Sequence, residues 1–272
     1  MLTLRYHGAT RIPVEAECIT PDNLAGKTAA QVERLPVQHG NAAAALAEFF
    51  DVRGDAGDGE VHVEGDCGRV KRLGAGMTGG RLVVHGDAGM HLGAEMAGGA
   101  LEVHGSAGDW AGAAMRGGLL RVHGRAGHMA GAAYPGSRTG MRGGALLIDG
   151  DAGDEVAAGM RRGLVAVGGA AGAFAAAALV AGSVFLFGPA GGRPGAGMKR
   201  GTVAFLGGPP ELLGTFRPAC VYEPVFVRLY LRQLRAWGFA VEDRFFSGAW
   251  RRCCGDRLAG GKGEILVWQE RP

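Results

Sequence analysis

The chain is short of most features that would mark a redox, metal or membrane protein. Its five cysteines (Cys18, Cys67, Cys220, Cys253 and Cys254) contain no CxxC pair, so neither a zinc ribbon nor an iron–sulfur site is signalled. They read as scattered reduced thiols of a cytoplasmic protein. Proline is scarce, at 11 of 272 residues, which excludes collagen, and the 47% hydrophobic share excludes disorder. Lysine is nearly absent: Lys27, Lys71, Lys199 and Lys262 stand against many arginines, the composition of a high-GC bacterial genome. The net charge of +3 is too small to imply nucleic acid. The opening MLTLRYHGAT lacks a basic segment followed by an apolar one, so no secretory signal is expected. There is no GxSxG, no HExxH and no Cys–His pair at a recognisable spacing. GGKGE near the C-terminus is not a phosphate-binding loop, and no glycine cluster has the strand–GxGxxG–helix context of a dinucleotide site. Asp256 and Glu264 beside it read as structural.

What the chain has in excess is glycine, 52 residues, about a fifth of the total against a usual share of about 7%. These glycines are periodic. Segments ending in apolar–x–Gly recur as VEGDCG, VHGDAG, VHGSAG, VHGRAG, IDGDAG, VGGAAG and LFGPAG, with FLGGPP closing the series. The anchors Gly65, Gly86, Gly105, Gly124, Gly150, Gly169, Gly188 and Gly207 are spaced 21, 19, 19, 26, 19, 19 and 19 residues apart. The 26 is one period plus seven, and the extra residues lie in AAYPGSRTGMRGG. A second motif keeps the same phase: MTGG, MAGG, MRGG and MRGG begin at Met77, Met96, Met115 and Met141, with degenerate copies at Met160, Leu179 and Met198.

Four residues before each anchor stand Leu82, Leu101, Leu120, Leu146, Val165, Val184 and Val203; two before stand Val84, Val103, Val122, Ile148, Val167, Leu186 and Phe205. Side chains alternate along a strand, so both sets share one face and predict a core. One unit cannot bury such a stripe alone, but stacked units can. The expected architecture is mainly β: a parallel β-helix of about 19-residue coils, stacked about 4.8 Å apart into a rod on the order of 35 Å long. The run AAGAFAAAALVAGSVFLFG (170–188) is uncharged and long enough to suggest a membrane span. It is instead one period of the repeat, flanked by charged copies in the same register, with Ala175–Ala178 placed to form a local helical turn.

The outward positions change character along the chain. Three before the anchor stand Val83, Glu102, Arg121, Leu147, Ala166, Phe185 and Ala204; one before stand Glu64, His85, His104, His123, Asp149, Gly168, Phe187 and Leu206. The late coils thus present an apolar face, covered either by the chain's own C-terminal segment or by a partner chain. His85, His104 and His123 form a ladder that Asp149 extends. Stacked imidazoles can share a metal, but adjacent rungs do not converge tetrahedrally, and the ladder reads as a duplicated surface feature with no metal. Arg116, Arg142, Arg161 and Lys199 follow the Met of the second motif, with Arg138, Arg162 and Arg200 close in sequence. Superposed coils would align them as a basic stripe. It is either an ordinary charged surface or a groove for a long anionic ligand or acidic partner, since aligned arginines bind carboxylates bidentately.

The repeat spans residues 61–208. Residues 1–60 are expected to be a mixed α/β segment capping one end, with strands in LTLRYHG and RIPVEAECI and a helix near Thr28–Leu35. AAAALAEFFDVRGD reads as a further helix or turn. Residues 209–272 are expected to form a helix-and-strand cap. In PVFVRLYLRQLRAWGF, Val227, Tyr230, Leu231 and Leu234 fall at helical spacing and Gly238 is a stop, while RRCCGDRLAGGKG reads as a glycine loop before a final strand, EILVW.

Three features together carry a resemblance: PVEAECITPDNLAGKTAAQVERLPVQHGN leading through FFDV into the repeat, the G-x-x-G-x-x-M-x-G-G pattern seen in GDWAGAAMRGG, and the tail RRCCGDRLAGGKGEILV. The chain resembles the C subunit of formylmethanofuran dehydrogenase, and in particular its bacterial counterpart, the C subunit of the formyltransferase/hydrolase complex. The repeat alone is also similar to the C-terminal domain of the glutamate synthase large subunit; the flanks decide. The resemblance implies a right-handed β-helix and a cytoplasmic complex that moves a formyl group from formyl-tetrahydromethanopterin to a methanofuran-type carrier and hydrolyses it to formate. It implies partners, the A, B and D subunits, of which A is amidohydrolase-like and D is a formyltransferase. It places the chemistry on those partners and makes this chain a scaffold that binds no cofactor, nucleic acid or membrane of its own. Two other readings stay open: the C subunit of a molybdenum- or tungsten-containing dehydrogenase, and a free-standing glutamate-synthase-type module. The loop at 133–139 and the Cys253–Cys254 doublet depart from the pattern.

Overall fold

The computed structural model describes residues 1–270, and they are mainly β. The N-terminal part holds strands β1 (Leu2–Tyr6) and β2 (Val14–Glu15), helices α1 (Pro21–Leu24) and α2 (Ala29–Glu33), and strands β3 (Pro36–His39), β4 (Ala42–Ala45) and β5 (Phe50–Gly54). Thr28 caps α2 reciprocally with Gln31, which sets the expected helix start. The expected helix or turn over AAAALAEFFDVRGD is corrected: it is strand β4, one 3-10 turn at Leu46–Glu48 and strand β5. Alanine's helical preference yields here to antiparallel pairing of β4 with β3 and of β5 with β1.

The repeat supplies β6 (Glu60–Glu64), β7 (Val70–Lys71), β8 (Arg81–Val84), β9 (Ala100–Val103), β10 (Leu119–Val122), β11 (Arg142–Ile148), β12 (Arg162–Val167), β13 (Ser183–Leu186) and β14 (Thr202–Phe205). β6 and β8 to β14 pair in parallel, each with the next, so Leu82 lies beside Leu101, Leu101 beside Leu120, and Leu120 beside Leu146. A second parallel line of single-residue bridges runs Cys67–Ala88–Ala107–Ala126–Ala152–Ala171–Ala190, two residues after each anchor. The aliphatic positions four before the anchor are all at most 1% exposed, and the repeat methionines and Leu179 are fully buried. Each unit therefore hides its stripe against its neighbours.

Gly98, Gly117 and Gly143 of the second motif are sterically required. A Cβ on Gly117 would lie 2.3 Å from the Ala97 carbonyl oxygen of the preceding coil, and Gly118 adds a φ of +79°. Aspartates secure the turns: Asp87 accepts a hydrogen bond from the Ser106 amide, Asp109 from His128, Asp151 from Ala170 and Asp154 from Ala173, each at 2.7 Å. These carboxylates satisfy amides that the strands leave unpaired. One corner is built from side-chain-bearing residues: His91, Trp110, Met129, Glu155, Phe174 and Arg193 all have φ of 59–62°. The expected helical turn at Ala175–Ala178 is likewise corrected. Ala176 and Ala178 have φ of 58° and 52°, a left-handed corner imposed by the stack. The uncharged 170–188 run is thus turns plus β13, and among the described residues no helix is long and apolar enough to cross a membrane.

The tail holds β15 (Arg217–Tyr222), helix α3 (Val225–Ala236), β16 (Ala249–Gly255) and β17 (Gly263–Gln269). Here too the sequence expectation needs correction. RRCCG is strand rather than loop, because Arg251–Cys254 pair antiparallel with Glu264–Val267. β17 joins β14 in parallel and extends the stack by one rung. At the other end β1 joins β6 in parallel. The result is a 13-stranded sheet bounded by β15 and β5, with a separate four-stranded sheet of β4, β3, β2 and β7.

Helix α3 lies over the late coils. Val227, Leu231 and Leu234 pack with Leu147, Ala166, Phe185, Ala204 and Leu206, joined by Phe239, Val241, Phe245 and Trp250. Fully burying each α3 aliphatic contributes about 1.5–3 kcal/mol. The chain's own tail is the cover for this face.

Candidate functional site

The basic stripe is assembled by the stack itself. The Arg116 amide donates to Met96 O (2.7 Å), Arg142 to Met115 O (2.6 Å), Arg161 to Met141 O (2.8 Å) and Lys199 to Leu179 O (2.7 Å). Each basic residue therefore follows the one before it, coil by coil, along one edge. Val180 occupies the slot between Arg161 and Lys199, donating to Met160 O at 2.8 Å, and interrupts the line. Arg162 is the register partner of Arg142, and Arg200 follows Lys199. Arg138 sits apart on the inserted loop, where its carbonyl comes within 3.7 Å of a Cβ position on Gly159. All seven residues are exposed.

Arg116 pairs with Glu95 at 2.7 Å, both half-exposed, so this contact is worth at most about 1 kcal/mol. The other six form no ion pair among the described residues. Like charges opposite each other on paired strands repel. Arg142 and Arg162 stand side by side in register with no carboxylate paired to either among the described residues.

A second constellation is absent from the sequence reading. The inserted loop brings Tyr134 against the left-handed corner. Its hydroxyl is 2.9 Å from His91 Nδ1, and the His91 ring stacks on Trp110 at 5.3 Å and 16°. Burial, then Arg72 and Lys71, holds the His91 imidazole below its ordinary range. Tyr134 also lines a cleft of about 510 Å³ with Glu17, Cys18, Arg72 and Glu95. The 19-residue interval between His91 and Trp110 is the available signal, but the seven-residue insertion puts Tyr134 out of phase. A larger cleft of about 810 Å³ beside β1 mixes Asp66 and Asp87 with Arg69 and Lys71 and selects no one charge.

The fold and this edge define a class: a glycine-repeat stack of parallel strands, closed by its own flanks and carrying a basic edge. No family model matches the chain. A solved structure does: a chain of the formyltransferase/hydrolase complex FhcABCD from Methylorubrum extorquens, determined with methylofuran, is 38% identical with a TM-score of 0.91 over 98% of this chain and 100% of that one. Among curated proteins, the C subunit of the molybdenum-containing formylmethanofuran dehydrogenase 1 of Methanosarcina barkeri is 40% identical over 88 residues, 31% of this chain and 29% of that protein. The C subunit of the tungsten-containing formylmethanofuran dehydrogenase 2 of Methanothermobacter wolfeii is 34% identical over 85 residues, 30% of this chain and 32% of that protein. The match spans about a third of the length of these two curated relatives. The chain belongs to the family of C subunits of formylmethanofuran dehydrogenases and formyltransferase/hydrolase complexes.

Proposed function

We propose that this chain is the structural C subunit of a cytoplasmic formyltransferase/hydrolase complex. That complex transfers the formyl group from formyl-tetrahydromethanopterin to a methanofuran-type carrier and hydrolyses it to formate. One observation carries the reading: the likeness to a chain of the FhcABCD complex extends over 98% of this chain, so it includes the flanks and not the glycine repeat alone. On this reading the repeat, 61–208, closes as a right-handed parallel β-helix, and 1–60 and 209–272 are its caps. The parallel addition of β1 and β17 at the two ends of the stack supports that division. The partners are the A, B and D subunits, which hold the reacting centres.

The basic edge extends the role. Arg142, Arg161 and Arg162, with Arg116, Arg138, Lys199 and Arg200, hold the acidic tail of the carrier while its other end reacts elsewhere. Changing Arg142, Arg161 and Arg162 together to Glu raises the apparent KM for carrier in the intact complex; an unchanged KM refutes the extension.

The curated relatives favour a second reading, the C subunit of a molybdenum or tungsten dehydrogenase. Isolation of the tagged chain from its host, with protein identification and metal analysis, separates the two. A, B and D partners without molybdenum or tungsten support the hydrolytic complex. Either metal, with iron–sulfur partners, places the chain in the dehydrogenase.

A further inference from the structure

The uncovered half of the sheet face carries the histidine ladder, and the structure divides it in two. His62 and His85 stack at 5.1 Å and 14°, with His62 Nδ1 2.8 Å from His85 Nε2. That pair shares a hydrogen bond, and His62 Nε2 stands 3.2 Å from Glu60 Oε1. His85, His104 and His123 continue edge-to-face, at 5.1 and 5.5 Å. Beyond the first pair a second carboxylate stands within reach of two rings. Glu102, from the neighbouring outward position on β9, places Oε1 2.9 Å from His123 Nε2 and 4.0 Å from His104 Nε2. One ligand atom from each of Glu102, His104 and His123 lies within 4.8 Å of the other two.

The surroundings fix these groups. Arg81 holds the other oxygen of Glu102, Oε2, at 2.9 Å, and reaches Glu60 at 2.8 Å. His123 Nδ1 is 2.8 Å from Asp149 Oδ2. Arg121 donates to the same oxygen at 3.0 Å and anchors itself on the Trp237 and Gly238 carbonyls of the C-terminal cover. Three carboxylates thus face two guanidiniums, leaving the cluster net negative before its histidines are counted.

His123 stands between carboxylate oxygens at both ring nitrogens. A neutral imidazole has one N–H, so only one of those contacts is a hydrogen bond. The other sets a lone pair against an anionic oxygen unless a second proton or a metal ion lies between them. A carboxylate on Nδ1 is the arrangement that orients a metal-binding histidine and leaves Nε2 free as a donor. We propose that Glu102, His104 and His123 form a divalent transition-metal site of the zinc class, with Asp149 and Arg81 as its outer support. Two imidazoles and one carboxylate with an open side suit four-coordinate zinc completed by water. Tetrahedral zinc places its ligand atoms about 3.4 Å apart. The 2.9 and 4.0 Å separations straddle that distance, and His104, 46% exposed, is free to turn inward. The ladder rungs alone do not converge; Glu102, two strand positions before His104, makes them do so. The site does not depend on which complex the chain joins.

The test uses the full-length chain, stripped with chelator and titrated with Zn2+ at fixed neutral pH by calorimetry, and with Co2+ by absorption spectroscopy. About one ion binds per chain, and the cobalt spectrum is tetrahedral without a thiolate charge-transfer band, which separates this site from the cysteines. His104→Ala and Glu102→Gln each weaken binding by at least about 10-fold. His62→Ala, at the far end of the ladder where the ring touches His85 and Glu60 but neither His104 nor His123, leaves it unchanged. The His104 side chain makes no hydrogen bond among the described residues, so its variant tests the site without loss of fold. Absent zinc binding, or binding that survives both His104→Ala and Glu102→Gln, overturns the proposal.

Discussion

In the Met-x-Gly-Gly copies that begin at Met96, Met115 and Met141 the first glycine, Gly98, Gly117 or Gly143, stands where a side chain would strike the coil before it, and this allows a differential test. A Cβ at Gly117 would stand 2.3 Å from Ala97 O and 3.0 Å from Ala97 C, whereas real Cβ contacts stay beyond 3.0 Å. The two coils would have to part by about 0.7 Å at a point where backbone hydrogen bonds hold them, an overpacking that costs about 1–3 kcal/mol. Gly79 occupies the same motif position in the first coil, and a Cβ there meets nothing within 4 Å. Its φ is not in the left-handed range, so Gly79→Ala restricts mainly the unfolded chain and stabilises by about 0.4–1 kcal/mol. At about 2–4 °C per kcal/mol for a chain of this size, Gly117→Ala lowers Tm by roughly 2–12 °C and Gly79→Ala does not lower it. Thermal unfolding of the full-length chain, followed by far-ultraviolet circular dichroism, reads both. Gly98→Ala and Gly143→Ala repeat the test, with contacts at 2.2 and 2.3 Å. Equal shifts at Gly79 and Gly117 would refute the claim that coil-to-coil contact, rather than glycine content, sets these positions.

Other expectations follow from single groups. Arg121 is 18% exposed and joins the sheet to the tail, so Arg121→Ala leaves Asp149 and two carbonyls short of a donor. The loss is about 1.5–3 kcal/mol, and hydrogen exchange should quicken over 225–246 while the repeat strands stay protected; uniform exchange across the chain would contradict it. His91 is held below its ordinary pKa by burial, Arg72 and Lys71, so the unfolded chain takes up the proton first. Its contribution to stability is complete above about pH 6.5 and declines as pH falls towards the folded value. His91→Asn, which tolerates the left-handed backbone, should flatten the Tm profile in that window; an unchanged slope would count against the assignment. Burial, then Asp66, pushes the Cys67 thiol up to about 12, whereas Cys220 is exposed. Maleimide at mildly alkaline pH should label Cys220 in the folded chain and reach Cys67 only on unfolding, and rapid native labelling of Cys67 would disprove its burial.

The repeat strands were legible because they obey two local rules, alternation and a fixed period. Leu82 through Val203 are buried on one face as the alternation requires. Helix α3 was legible for the same reason, with Val227, Leu231 and Leu234 on its inner side. What local pattern could not supply is partner choice. Ala42–Ala45 is a strand because β3 lies beside it, and Cys253–Cys254 are strand because β15 and β17 lie on either side. Ala176 and Ala178 take a left-handed backbone because the coil must turn where its neighbours turn. The alignment of Arg116, Arg142 and Arg161 was readable from phase, since each follows the motif methionine. The break at Val180 and the pairing of Arg116 with Glu95 required coordinates. The convergence of Glu102 with His104 and His123 depends on rotamers, which a period does not encode.

The central claim, a structural chain that needs its partners, is tested most directly by native mass spectrometry. The chain is co-expressed with the A, B and D subunits of its host, and the assembly is weighed with and without it. The account predicts one assembly containing all four chains, and loss of that assembly when this chain is omitted. A complete A–B–D assembly without it, with this chain recovered alone, would contradict the account.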